Sequence, residues 1–178
     1  MVMIFLMSTL LIAYTPPVAQ GASVVITDAV QLVDGGAVNE RMAAMTSDSE
    51  GNIHVIWTRN TQHLYYSMLD PRAQTVIDVT QISNGGGHRA WHPDVAIDSE
   101  DRVHVTWANK GSQHEILYTL LDPSLDDQDG TSADDGVISI VEDTEVVKRQ
   151  QNRDWPAIAV DSQDNVHIVW EDSYDRHD

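Results

Sequence analysis

The stretch that decides the fold is Pro93–Trp107, PDVAIDSEDRVHVTW, because closely similar stretches occur twice more in the chain. Ala43–Trp57 reads AAMTSDSEGNIHVIW, and Pro156–Trp170 reads PAIAVDSQDNVHIVW. Each copy has a short apolar run, then Asp-Ser and a polar turn, then a β-branched run that contains His and ends in Trp. This pattern predicts a β-hairpin that is repeated three times.

The repeat continues beyond the hairpin. His63–Pro71 matches Glu115–Pro123, which predicts a third strand after the first two hairpins. Thr75–Ser83 and Ile138–Val147 predict a fourth strand, and Val24–Val33 resembles that fourth strand placed before the first repeat. A unit of four antiparallel strands with a period of about 50 residues is typical of a β-propeller blade.

We therefore predict an all-β fold in which residues 23–178 form an incomplete β-propeller of four-stranded antiparallel blades. Its parts are a leading strand (24–33), a blade (42–83), a blade with an acidic insertion at 124–136 (93–147) and half a blade (156–170). We expect the chain to be part of a longer propeller. The alternative is a short chain that closes a ring by self-association through its unpaired blade edge.

The N-terminus has the pattern of an export signal. Val2–Tyr14 carries no charge and is shorter than the about 20 residues that a membrane span needs. Pro16 and Pro17 follow it, and Ala19–Gly21 offers small residues suited to a cleavage site. We predict a signal peptide at residues 1–22 and a secreted or cell-surface protein. Because no Lys or Arg precedes the apolar run, an uncleaved membrane anchor is the alternative.

The composition narrows the classes of partner. The chain has 28 Asp and Glu against 10 Lys and Arg, a net charge of −18, so it repels nucleic acid and anionic lipid. It has no cysteine, which excludes disulfides and thiolate metal sites. We expect no cofactor. Ca²⁺ in the acidic insertion is a weaker alternative, since Asp127, Asp129 and Gly130 do not keep the spacing of an EF-hand loop.

Three residue types recur at equivalent positions of the hairpins, namely Asp48, Asp98 and Asp161, His54, His104 and His167, and Trp57, Trp107 and Trp170. Each Asp precedes a tight turn, where a carboxylate can accept backbone N–H bonds. The three histidines would make a zinc site only if they converged. We instead expect each His to be bonded within its own blade and each Trp to pack between blades.

The hairpins, together with the third strand Ile116–Tyr118, resemble the repeats of sialidase-like (BNR, or Asp-box type) β-propellers over most of residues 24–178. Ser47–Gly51 is out of step with the Asp-box pattern Ser-x-Asp-x-Gly-x-Thr-Trp, and the family's early Arg-Ile-Pro motif is missing. The resemblance implies a propeller fold and a secreted location. Sialidase-type hydrolysis is implied only as an alternative.

The connections that lead into the first strand of each blade carry the candidate ligand-binding residues, which are Arg41, Arg89, Trp91, His92, Arg153 and Trp155. Two of these connections contain an Arg, a Trp two positions later and then a Pro. We expect them to surround the mouth of the central channel. An Arg beside an exposed Trp can bind a carboxylate while a sugar ring stacks on the indole. The alternative is that Trp and Pro fill the channel and each Arg pairs with nearby acids.

These observations favour an exported, non-catalytic module that binds a glycan or a protein through these loops. One alternative is a sialidase-type glycoside hydrolase with catalytic residues partly beyond Asp178. Another is a structural repeat segment of a surface protein. No catalytic residue can be assigned, because any of the many carboxylate pairs could be proposed for glycoside hydrolysis.

Overall fold

The computed structural model describes residues 5–6, 10–13, 29–33, 39–83, 89–111, 115–125, 138–147 and 152–173. Within these ranges the chain is all β, with one turn of 3₁₀ helix at Pro123–Leu125 and no α-helix. The all-β prediction is therefore confirmed. The acidic insertion proposed for Ca²⁺ lies almost entirely outside the described residues. None of the described residues lies in a helix long and apolar enough to span a membrane.

The first strands form a small three-stranded antiparallel sheet, which we call the N-terminal sheet: β1 (Phe5–Leu6), β2 (Leu10–Ala13) and β3 (Ala29–Gln31). The strands β1 and β2 fall within the predicted signal peptide, whose cleavage stays a prediction. Of the predicted leading strand 24–33, residues 29–33 are described, and β3 pairs with β2.

Two four-stranded antiparallel sheets follow, each a simple meander. The first sheet consists of β4 (Glu40–Ser47), β5 (Ile53–Arg59), β6 (His63–Leu69) and β7 (Thr75–Gln81). The second sheet consists of β8 (Ala90–Ile97), β9 (Val103–Asn109), β10 (Glu115–Asp122) and β11 (Ile138–Val147). The predicted order of four antiparallel strands is confirmed in both sheets.

The third sheet has two described strands, β12 (Asn152–Val160) and β13 (Val166–Ser173), which form an antiparallel hairpin. Over the described residues the sheets do not close into a ring. The strands β8 and β12 begin three and four residues earlier than predicted, because their prolines do not mark the strand starts. Pro93 and Pro156 were expected to open their strands, but each lies at a register shift inside the strand. Proline is tolerated there because a bulge leaves its position without a ladder hydrogen bond.

A shared core joins the first sheet to the second. Ile56 and Tyr66 of the first sheet pack in one buried cluster with Val105 and Trp107 of the second. These four residues are between 0% and 1% exposed. The strands read as almost continuous apolar runs because the sheets are covered on both faces. Burial of such aromatic and branched side chains is the main stabilising contribution to folding.

A second cluster lies on the opposite face of the first sheet. Val55 and Trp57 are fully buried there. Val30, Leu32 and Val33 pack against them from β3 and the residues after it. The N-terminal segment therefore covers the outer face of the first sheet, which no other sheet covers within the described residues.

Candidate functional site

The same β-bulge interrupts β4, β8 and β12, which are the first strands of the first, second and third sheets. The register of pairing shifts between Arg41 and Ala44 in β4, and at the corresponding places in β8 and β12. Counting from the pairs that flank each shift makes Met42, His92 and Trp155 equivalent. Their φ angles are 51°, 49° and 50°, in the left-handed region. Non-glycine residues adopt this conformation at a cost, and such residues cluster at functional sites.

The bulges bring side chains of different sheets together. The rings of His92 and Trp155 stack with their centroids 3.6 Å apart and an interplanar angle of 14°. The backbone N–H of His92 donates to Sδ of Met42 at 3.4 Å. Residues from the first, second and third sheets thus meet at one point, although they are far apart in the sequence.

An acid from the third sheet orients the histidine. Nδ1 of His92 lies 2.6 Å from Oδ1 of Asp154, while Nζ of Lys110 pairs with the other carboxylate oxygen. Burial acts to raise the pKa of Asp154, but the bonds from Lys110 and His92 outweigh it and lower the pKa below its ordinary value. The carboxylate is therefore charged at neutral pH and fixes the imidazole through one ring nitrogen. The same Lys110 lies 5.1 Å from the ring centroid of Trp91.

These residues border a pocket of about 460 Å³, which is lined by Met42, Ala43, His92, Pro93, Asp94, Trp155 and Pro156. Trp155 is 60% exposed, which is unusual for so large an apolar side chain. One oxygen of Asp94 accepts the backbone N–H of Ile158 at 2.9 Å, which ties the second sheet to the third beneath the pocket. The site is thus mainly apolar, with one imidazole and one carboxylate at its wall. Concave apolar sites with a few placed polar groups are typical of ligand pockets.

The structure brings two of the six predicted site residues, His92 and Trp155, into the pocket lining. Trp91 stands beside it, with its ring 5.7 Å from that of His92 and nearly perpendicular to it. The two Arg-x-Trp sequences are not equivalent in the fold. Strand pairing aligns Trp91 with Asp154, one position before Trp155, because one residue separates Trp91 from Pro93 whereas Trp155 directly precedes Pro156.

The three predicted arginines do not converge on the pocket. Arg153 is buried, and its Nε lies 3.6 Å from a carboxylate oxygen of Asp172. This is the pairing with nearby acids that was the alternative to ligand binding. Arg41 and Arg89 are exposed and do not line the pocket.

Sequence reasoning missed Met42, Asp94, Asp154 and Lys110. Met42 and Asp94 each lie at or next to the predicted start of a blade. Neither residue recurs at the equivalent positions of the other repeats, so neither was singled out. Asp154 and Lys110 stood among many charged residues, so nothing marked them as partners. The sequence signal that was available is proline itself, since Pro93 and Pro156 lie within strand patterns and proline inside a strand indicates a bulge.

The repeated Asp and His residues have the structural role predicted for them. Oδ1 of Asp98 accepts the backbone N–H of Glu100 and of Arg102, and Oδ2 lies 2.9 Å from Nε2 of His104. Nδ1 of His104 lies 2.8 Å from the hydroxyl of Tyr118. The expectation that each His is bonded within its own unit is confirmed, because the first and third hairpins repeat the Asp–His contact. In the ranges described, no three acidic or histidine side chains are grouped to hold a metal ion.

The pKa shifts of these groups indicate their charge states in the turns. Burial acts to raise the pKa of Asp98, but the bonds from His104 and Arg102 outweigh it and bring the pKa to about 2. Burial is the main cause that lowers the pKa of His54, which favours the neutral imidazole. The hairpins are therefore stabilised by carboxylates that stay charged and by a histidine that stays neutral near pH 7.

Comparison of the sequence with protein-family models and with curated proteins finds no match. The assignment of a function therefore depends on the geometry of the site.

Proposed function

We propose that this protein is an exported binding module that recognises a glycan ring at the pocket between its sheets. The observation that carries the proposal is the exposed indole of Trp155, which is held flat against His92 in an apolar pocket. An exposed aromatic face is a surface on which the apolar face of a sugar ring can stack. The second ring nitrogen of His92 and the carboxylate of Asp94 supply polar contacts for hydroxyl groups.

The charges at the pocket favour an uncharged sugar. Its described lining contains the carboxylate of Asp94 and no Lys or Arg. Two cations close to the pocket are paired with acids: Lys110 with Asp154, and Arg153 with Asp172. An acidic sugar would therefore meet a like charge without a compensating guanidinium. This supports a neutral glycan over the sialic-acid ligand that a sialidase-like resemblance implies.

We further propose that the three sheets are blades of an incomplete β-propeller, with the pocket near the channel mouth. Two features support this arrangement: the four-stranded meanders repeat, and the equivalent bulge residues of three successive sheets meet at one pocket. Residues that are equivalent in successive blades converge only near the axis around which the blades are arranged.

The test is a glycan array probed with the full chain and with Trp155→Ala. We expect Trp155→Ala to lower the affinity for the bound neutral glycan at least tenfold, which corresponds to about 1.4 kcal/mol. Arg89→Ala is the matched control, since that exposed side chain does not line the pocket and its loss is expected to leave binding unchanged.

Equal binding by wild type and Trp155→Ala would remove the proposed site. Loss of binding in Arg89→Ala but not in Trp155→Ala would move the site to the exposed arginines. If the array shows no ligand at all, the alternative of a structural repeat segment is favoured.

A further inference from the structure

The turns at the far end of the hairpins link one sheet to the next. The backbone N–H and the hydroxyl of Ser49 donate to the two carboxylate oxygens of Asp101, at 2.9 and 2.6 Å. Ser99 donates to Asp164 in the same way, again at 2.9 and 2.6 Å. We call this paired contact the serine–aspartate clip. The clip occurs twice with the same distances, at equivalent turns of successive sheets, so it is a recurring feature of the repeat.

The clip has a direction. The serine always comes from the earlier sheet and the aspartate from the following one. The accepting residue occupies the same turn position in each hairpin, with φ of 59° in Asp101 and 60° in Asp164. Hydrogen bonding to Ser99 lowers the pKa of Asp164 below its ordinary value, so the acceptor is charged at neutral pH. A charged acceptor makes each bond stronger than a neutral one.

The third sheet presents the donor half of a clip. Ser162 occupies the position of Ser49 and Ser99, is exposed, and has no acceptor among the residues that the structure describes. The face of the sheet behind it is exposed as well. Val169 is 66% exposed, whereas Ile56 and Thr106 at the same position of the first and second sheets are 0% exposed.

The two earlier sheets show what covers this face. Ile56 packs in one cluster with Val105 and Trp107, which lie on the face that the second sheet turns toward the first. A sheet that carries this Val-x-Trp pattern on its second strand and an aspartate in its turn therefore fits the face of its predecessor. The apolar strand and the clip are two independent features of one interface.

We propose that the exposed face of the third sheet docks a further sheet of this repeat type, whose hairpin turn supplies an aspartate to Ser162. The inference concerns the end of the molecule opposite the N-terminal sheet and does not depend on the proposed glycan site. The occupant is defined by chemistry: a Val-x-Trp strand and a turn carboxylate placed as in the second sheet.

A second copy of this chain does not fit that description through its first sheet. The turn position equivalent to Asp101 is Gly51 there, so it offers no carboxylate to Ser162. The outer face of that sheet is also already covered by Val30, Leu32 and Val33. Gly51 thus acts against head-to-tail assembly of identical chains, as an element that excludes a wrong partner.

The test adds the missing partner to the full chain. A copy of its own residues 89–125 is joined after Asp178 through a flexible Gly/Ser linker of about 20 residues, a length that spans on the order of 25 Å. Such a linker gives a millimolar effective concentration. The readout is amide hydrogen exchange in β13 together with the urea midpoint. We expect at least a tenfold slowing of exchange in β13 when the added copy is present.

Two variants decide whether the clip is responsible. Ser162→Ala is expected to leave the unextended chain unchanged and to reverse at least half of the protection in the extended chain. Asp101→Gly in the added copy alone, which imitates Gly51, is expected to do the same. Protection that ignores both variants would show docking without the clip and would overturn the proposal.

A longer added copy, residues 89–147, includes the fourth strand and guards against an added segment that does not fold. Its folding is checked by the gain of β-sheet signal in circular dichroism. A folded copy that leaves the exchange of β13 unchanged would overturn the proposal. If neither copy folds against the third sheet, the proposed fit between the two surfaces is also wrong.

Discussion

The second and third sheets carry nearly the same hairpin sequence but differ in their surroundings. The Asp–His distance is 2.9 Å between Asp98 and His104 and 3.0 Å between Asp161 and His167. The side chain of His104 is 5% exposed, whereas that of His167 is 62% exposed. The hairpin sequence therefore sets the hydrogen-bond geometry of the turn, and the neighbouring sheets set its burial. The same contact should contribute very different free energies at the two places.

The largest expected difference concerns the tryptophans at the equivalent position in the second strand of each hairpin. Trp107→Ala should lower the free energy of unfolding by about 3–5 kcal/mol, because a large buried side chain leaves a cavity. Trp107 is 1% exposed between the first and second sheets. Trp170→Ala, at the half-buried equivalent position, should cost less than half as much. Urea denaturation followed by circular dichroism measures both values, and equal costs would contradict the comparison.

The turn aspartates come next. Asp98→Ala should cost about 3 kcal/mol, since it leaves His104 and two backbone N–H groups without their buried acceptor. Asp161→Ala should cost clearly less, because water reaches the same donors at the exposed turn. Thermal unfolding of both variants against wild type checks the order. A larger loss at Asp161 would mean that the third sheet is covered in solution.

Acid should weaken the buried turn within a defined range of pH. The pKa of Asp98 is about 2 in the folded protein, against an ordinary value of 3.8. A carboxyl whose folded pKa is lowered contributes stability above its unfolded pKa and loses it as the pH falls toward the folded pKa. The difference in unfolding free energy between wild type and Asp98→Ala should be constant above pH 5 and shrink between about pH 4 and 2. A difference that does not change with pH would contradict the hydrogen bonds assigned to the Asp98 carboxylate.

The smallest effects are expected at the middle of the second strand. The hydroxyl of Thr106 is fully buried and donates to the carbonyl of Leu117 at 2.9 Å. Thr106→Val should cost about 1 kcal/mol, the net value of such a bond. The reverse change, Val169→Thr at the equivalent exposed position, should stay within about 0.5 kcal/mol. Chemical denaturation of both variants gives the comparison, and a larger effect of Val169→Thr would indicate a covered face.

Much of the fold could be predicted because its signals are local. The fourth strand Ile138–Val147 has the predicted bounds, and the third strand of the first sheet begins at the predicted His63 and ends at Leu69, two residues before the predicted Pro71. The repetition of Asp98 and His104 correctly indicated a role inside the hairpin. The two residues are six positions apart in the sequence, so both recur together in every copy of the hairpin and their pairing could be predicted from the repeat.

The pocket and the clip could not be predicted in the same way. Met42 and His92 are 50 positions apart, and Ser99 and Asp164 are 65 apart, so both contacts depend on how the sheets pack. In strand register, Trp155 is equivalent to His92 and not to Trp91, which an alignment on the Arg-x-Trp sequences does not reveal. A side chain's direction depends on strand register, and a shift of one residue reverses it.

The left-handed bulge has a consequence for how the lining of the proposed glycan pocket can change. A thioether, an imidazole and an indole occupy one backbone geometry, since φ is 51° in Met42, 49° in His92 and 50° in Trp155. The flanking strand pairs are the same in all three cases. The scaffold therefore accepts different side chains at this position without altering its ladders. Single substitutions at these three positions can therefore change the chemistry of the proposed glycan pocket while the framework that holds them stays intact.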